Sequence, residues 1–214
     1  MKSKIRVSQQ EKSQLRKAEL IDATLQVIAR EGVSAATVRS ISEQANVTQG
    51  LIRYHFTNKD ELITAAYEKH MTDLIDLAAH STSDRRCSNA KARLAMFVRA
   101  SVIPPVVDTQ VLAIWAGFFQ LLFHNEPMRE SHKKTYHLLR RHIQTLIADV
   151  LEEEKRTTSE AELRILSIAC NAILDGIWIE GGIIPEEFGQ NELIDTVINA
   201  VSAIIQTDLT PHRD

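Results

Sequence analysis

The chain has 214 residues, 44% of them apolar and 25% charged, and only five prolines and seven glycines interrupt it, a scarcity of breakers that favours helices around a genuine core. The net charge of −3 is divided unevenly: residues 1–70 hold eleven Lys/Arg against eight Asp/Glu and the remainder fourteen against twenty, so only the front section suits a polyanion. Cys87 and Cys170 form no metal or redox grouping, the first residues have no apolar core of signal-peptide length, and the longest apolar run, Val111 to Phe119, is too short to span a bilayer; a cytoplasmic protein with reduced thiols and no membrane partner is expected.

Residues 1–15 read as a basic arm, with Lys2, Lys4, Arg6 and Lys12, which could follow a phosphate backbone or serve as a solubilising tail. Leu20, Ile21, Thr24, Leu25 and Ile28 mark a first amphipathic helix that stops near Gly32, and Thr37 restarts the chain. A short helix follows with Val38, Ile41 and Ala45 on one side. Asn46 suits a left-handed turn, and Thr48 is placed as the N-cap of the next helix, with Val47 able to pack on Ile52 as a hydrophobic staple.

Asn58 and Glu61 have capping-box spacing and open a long connecting helix over about 58–79, after which Ser81 to Asn89 reads as a loop. Further helices are expected near 89–102, 108–124, 127–154, 159–180 and 191–206, punctuated by Pro104-Pro105, Pro127 and Pro185, with Ser159 and Glu162 as a second capping pair and Gly181-Gly182 as a helix terminus. No strand is convincing. The expected fold is all-α: a three-helix helix-turn-helix domain over 16–60, a helical-bundle effector and dimerisation domain over 61–206, and a tail over 207–214.

From Thr37 to Leu62 the chain reads TVRSISEQANVTQGLIRYHFTNKDEL, which resembles the DNA-binding motif of the TetR family of repressors. It departs from that pattern at Asn46, where glycine is frequent, and at Ser42, where alanine is frequent, and neither change breaks the geometry. A helix whose Ile52 and Phe56 face the core turns Gly50, Arg53 and Tyr54 outward. Gly50 lets the backbone approach a groove wall, Arg53 can donate to guanine or phosphate, and Tyr54 offers a ring for a thymine methyl and a hydroxyl for phosphate. Thr48 and Gln49 begin this helix, where amides favour a phosphate. The resemblance implies that Arg39 reaches a base edge, that His55 and Lys59 hold the DNA backbone, and that the protein is a homodimeric repressor on a palindromic operator in double-stranded DNA, released by a small-molecule effector.

The run VLAIWAGFFQLLF from residue 111 has Gln120 as its only strongly polar member, so it is expected to be surrounded by protein and to form the core of the second domain. The segment LDGIWIEGG from Leu174 resembles the C-terminal helix of the choline-responsive BetI-type branch of the same family, although Glu180 stands where a basic residue is frequent. That resemblance implies an effector site walled by Trp115, Phe119 and Trp178, with Asp175 or Glu180 as counter-charge for a quaternary ammonium such as choline.

Leu193, Ile194, Val197, Ile198, Val201, Ile204 and Ile205 cover more of the last helix than one packing face needs, so a second protein surface is expected. With Ala172 and Gly176 one turn apart on the preceding helix, a homodimer through the last two helices is the natural solution. His124, His132, His137 and His142 lack metal-ligand spacing, and neither a catalytic constellation nor a cofactor loop is evident, so neither metal, cofactor nor catalytic residue is assigned. The alternative is a helical small-molecule-binding enzyme or carrier with a vestigial DNA-binding domain, against which the basic recognition surface argues.

Overall fold

A computed structural model of the protein describes residues 8–83 and 87–210. Lys2, Lys4 and Arg6 of the basic arm and residues 211–214 of the tail lie outside the described residues. Among those described there are nine α-helices and no strand: α1 Gln9–Glu31, α2 Val38–Gln44, α3 Gln49–His55, α4 Lys59–His80, α5 Ala90–Ala100, α6 Thr109–Phe119, α7 Glu126–Glu153, α8 Glu160–Ile183 and α9 Glu192–Ile205.

Helix starts follow local chemistry. Ser8 and Glu11 close a reciprocal capping box, so residues 9–15, read from the sequence as arm, already belong to α1. Gly32 ends α1 at φ 82°, a left-handed backbone that a side chain would strain. Asn58 Oδ1 accepts from the Glu61 amide at 2.8 Å and Ser159 Oγ from the Glu162 amide at 3.2 Å, so the two predicted capping positions open α4 and α8.

The chain forms two compact units: residues up to His70 together with Ala113–Ser131, and Met71–Leu112 together with the residues from His132 on. The first buries Leu20, Val27 and Ile28 of α1 with Ile41, Ile52, Phe56, Leu62 and Ile63. Most of α6 joins this unit. Its Phe118 is fully buried with its ring centroid 5.3 Å from Tyr67, edge to face, and Gly117 lies beside Val33.

The second unit packs α5, α7, α8 and α9 around Leu94, Phe97, Ile143, Ile147, Val150, Leu174, Val197 and Val201. The pair Gly181-Gly182 does not terminate α8, which runs on to Ile183. A methyl on Gly181 would stand 2.6 Å from Leu193 Cδ1, and one on Gly182 would stand 2.8 and 3.1 Å from Leu112 Cδ2 and Cβ. Close packing, rather than turn geometry, explains glycine there.

Two expectations about apolar surface are corrected. Helix α6 is not surrounded by protein: Phe119 is partly exposed and Phe123, in the 3-10 turn that follows, is 69% exposed. Trp115, Phe119 and Phe123 instead form a row of rings with centroids 4.9 and 5.5 Å apart, the i, i+4 neighbours of one helical face carried on through the turn. Helix α9 in turn buries Ile194, Val197, Ile198, Val201 and Ile205 within its own unit. The surplus apolar surface lies on α8, where Ile165 and Ile183 are 67% and 61% exposed.

Candidate DNA interface and effector residues

Helix α2 begins where Thr37 and Ser40 exchange hydrogen bonds, the Ser40 amide donating to the Thr37 hydroxyl at 3.1 Å and the Thr37 amide to the Ser40 hydroxyl at 2.9 Å. Its far end is tied to α1, because Gln44 donates to Gln26 Oε1 at 2.7 Å and accepts from Arg30 at 3.0 Å. Asn46 takes φ 52°, the left-handed turn expected of it, and the Val47 amide donates back to the Ser42 carbonyl at 2.9 Å. Ser42 is buried, so a small side chain fits the close approach at that position.

Thr48 has the extended backbone of an N-cap, but its hydroxyl caps no amide. In α3, Ile52 and Phe56 are buried while Thr48, Gln49, Gly50, Arg53 and Tyr54 are exposed, Tyr54 at 77%, and His55 is half-buried with its ring 4.9 Å from that of Tyr54. The outward turn of Gly50, Arg53 and Tyr54 is thus what the helical period predicts. Among the described residues nothing requires glycine at 50: an added methyl would meet only Thr48 Oγ1, at 3.8 Å.

The cations here differ in what holds them. Among the described residues Arg53 and Lys59 are exposed and make no ion pair, whereas Arg39 Nε donates to Glu43 Oε1 at 2.8 Å across an exposed i, i+4 pair. The Glu43 bond raises the Arg39 pKa above its ordinary value, so the guanidinium stays charged and would have to leave Glu43 to reach another partner. At the start of α4 the Thr57 amide donates to Glu61 at 2.7 Å and pulls that carboxyl below its usual range.

The expected effector residues divide between the units. Trp115 and Phe119 belong to the first and stack on each other, whereas Asp175 and Trp178 lie one turn apart on α8 in the second. Trp178 Nε1 donates to the Val106 carbonyl at 2.8 Å. Asp175 Oδ2 accepts from Asn171 Nδ2 at 2.7 Å and from the Tyr136 hydroxyl at 3.2 Å. Burial pushes the Asp175 carboxyl up, against the Tyr136 and Asn171 hydrogen bonds and the charge of Arg140, which draw it down. Asn171 Oδ1 and Arg140 Nε are buried without a hydrogen-bond partner among the described residues. Glu180 is exposed, and no cluster of metal-ligand residues occurs among those described.

Residues 20–66 match the family described as bacterial regulatory proteins, tetR family, and residues 90–206, more than half of the chain, match the C-terminal region of BetI-type transcriptional repressors. The chain belongs to the TetR family. It is therefore a DNA-binding transcriptional regulator of BetI type, from families that are regulators and not enzymes. Among curated relatives, the HTH-type transcriptional regulator BetI of Paraburkholderia phymatum is 31% identical over 178 residues, 82% of this chain and 85% of that protein. A transcriptional regulator from Pseudomonas aeruginosa has the same architecture at TM-score 0.80 and 28% identity, covering 96% of this chain and 97% of its own. A regulator from Saccharomonospora viridis solved in complex with choline shares the fold at TM-score 0.65 and 16% identity, covering 90% and 96%.

In this TetR-family chain sequence reasoning missed Tyr136, Arg140 and Asn171. A signal was present: Asn171 and Asp175 are an i, i+4 polar pair inside the apolar run SIACNAILDGIWI, and polar residues at that spacing on a buried helix demand partners. No local pattern points from Asp175 to Tyr136, thirty-nine positions away. No helix among the described residues is long and apolar enough to cross a membrane.

Proposed function

We propose that this regulator works in the cytoplasm as a homodimer, presses α3 of each protomer into the major groove of a palindromic operator, and is released by a small-molecule effector. The observation that carries this reading is the exposed, unpaired polar surface of α3 and the start of α4 on a rigidly packed base. Arg53 and Tyr54 project from the face opposite Ile52 and Phe56, with Lys59 three residues beyond the buried Phe56. Arg39 is assigned to a base edge, Arg53 to a guanine or a phosphate, Tyr54 to a thymine methyl or a phosphate, and Thr48, Gln49, His55 and Lys59 to the backbone, while Gly50 permits close approach.

Dimerisation is assigned to α8 and α9. Ile165, Ile168, Ala172, Gly176 and Ile183 recur along one exposed side of α8, and an added methyl on Gly176 would meet nothing inside the protomer, so space is left there for a second helix. Release is assigned to the helical domain. A ligand with unequal affinity for two arrangements of α4, whose first turn holds Lys59, changes the separation of the two recognition helices. The finer assignment is a quaternary ammonium such as choline at Asp175 and Trp178, supported by the part-buried carboxyl with an indole one turn on and by the choline bound by a protein of the same fold.

Selection of bound fragments from random DNA, followed by titration at two salt concentrations, tests the first part. A steep salt slope with a sequence preference is expected. Substituting Arg39 should cost about 1–3 kcal/mol and relax one base position, whereas substituting Lys59 should weaken all sequences alike. Indifference to every duplex at low salt would overturn the reading. A choline titration that leaves operator affinity unchanged would remove the ammonium assignment alone.

A further inference from the structure

The second unit contains a cavity of about 250 Å³, open on one side, that shares no residue with the Asp175 cluster. Its floor is apolar, made by the fully buried Phe97 of α5 with Leu138 and Leu146 of α7. Arg141, His142 and Thr145 of α7 supply most of the polar lining, and among the described residues no carboxylate borders the cavity. Among the described residues none of these three has a hydrogen-bond or ion-pair partner, so a guanidinium, an imidazole and a hydroxyl stand free beside an empty apolar hollow. The Thr82 hydroxyl, by contrast, already donates to the Ala79 carbonyl at 2.8 Å.

We infer that this cavity binds a small amphipathic anion, an aliphatic monocarboxylate of about six to nine carbons, with its carboxylate on Arg141 and its tail over Leu138 and Leu146, which Phe97 backs from the core. Charge selects the sign of the ligand: the Arg141 guanidinium, with no carboxylate among the described lining residues, favours a carboxylate, which it grips through two parallel N–H bonds, over an ammonium. Volume selects its size, since at roughly 30 Å³ for each water-sized group the cavity holds about eight such groups. Ala79 and Thr82 bring the end of α4 and the turn after it to the wall, so occupancy touches the helix whose first turn carries Lys59. The inference goes beyond the ammonium reading, because it names a second ligand chemistry in a separate place.

Isothermal titration of the full chain, without DNA, with hexanoate, octanoate, octanol and octyltrimethylammonium tests it. Octanoate should bind, about tenfold or more tighter than hexanoate, because each buried methylene adds roughly fourfold. Octanol and octyltrimethylammonium, with the same tail, should bind at least tenfold more weakly. Arg141→Gln, an exposed change that leaves folding intact by circular dichroism, should weaken octanoate at least tenfold, and Leu138→Trp should remove binding by filling the floor. Equal binding of the three eight-carbon tails, an unchanged Arg141→Gln variant, or absence of octanoate binding would each overturn the inference. Choline titrated against Asp175→Asn in parallel reports on the other site, so failure of either assignment is read separately.

Discussion

Helix α3 and helix α8 are built with opposite polarity. In α3 the apolar Ile52 is buried along with Phe56 at its end, and the polar side chains stand in solvent, with Arg53 lacking any ion pair among the described residues. In α8 the polar Asn171 is buried and Asp175 nearly so, while Ile165, Ile168 and Ile183 are exposed. An exposed cation costs nothing while it waits in water, whereas an exposed isoleucine row or a buried amide oxygen with no donor carries a free-energy penalty until something covers or pairs it. The first helix is therefore finished in the protomer and ready for a polyanion, and the second still carries apolar surface to cover and a buried polar atom to pair.

The contrast can be broken by substitution. Phe56→Ala should cost about 3–5 kcal/mol of stability in urea unfolding, because it empties a buried aromatic site under the recognition helix. Ile165→Asp with Ile168→Asp should leave the protomer folded yet weaken self-association about a hundredfold or more by analytical ultracentrifugation; an unaltered dimer would move the interface away from α8. Arg53→Ala should cost about 1–3 kcal/mol on the selected operator with unchanged thermal stability, the signature of a side chain that serves only an external partner.

Two smaller effects sharpen it. Glu154 receives Lys91 at 2.8 Å and the Thr207 hydroxyl at 2.7 Å, and the Lys91 bond leads in holding its carboxyl down at about 2. A depressed carboxylate stabilises the fold fully above its unfolded value of 4.5 and stops doing so as pH falls towards 2. Glu154→Gln should therefore lose about 1–2 kcal/mol at pH 7, after discounting for solvent screening, and the difference from the parent should vanish across that acid window. Glu43→Gln should leave thermal stability essentially unchanged, since the Arg39–Glu43 pair is exposed and screened by solvent, while tightening operator binding by releasing Arg39.

Much of the helix-turn-helix was legible because its signals are local. Thr37 and Asn58 each cap the amide three residues on, Asn46 makes the turn with its own left-handed backbone, and Ile52 and Phe56 declare the buried face by their spacing. The same reasoning placed α1 too late, because the Ser8–Glu11 box sits ahead of a polar stretch with no apolar stripe to announce a helix. It also misjudged α6, where hydrophobicity was read as burial although Phe119 and Phe123 are left largely uncovered within the protomer. Hydrophobic content states what a helix would gain by being covered, not what covers it.

By itself, then, the sequence determined the all-helical architecture, the capped starts of α2, α4 and α8, the turn at Asn46 and the outward face of α3, since each depends on contacts three or four residues apart. Only the tertiary structure decided that α6 joins the first unit, that Tyr136 meets Asp175, that Gly181 and Gly182 admit Leu193 and Leu112, and that a cavity opens beside Arg141. Those depend on which helix faces lie side by side, a choice made by the packing of the whole core and written at no single point along the chain.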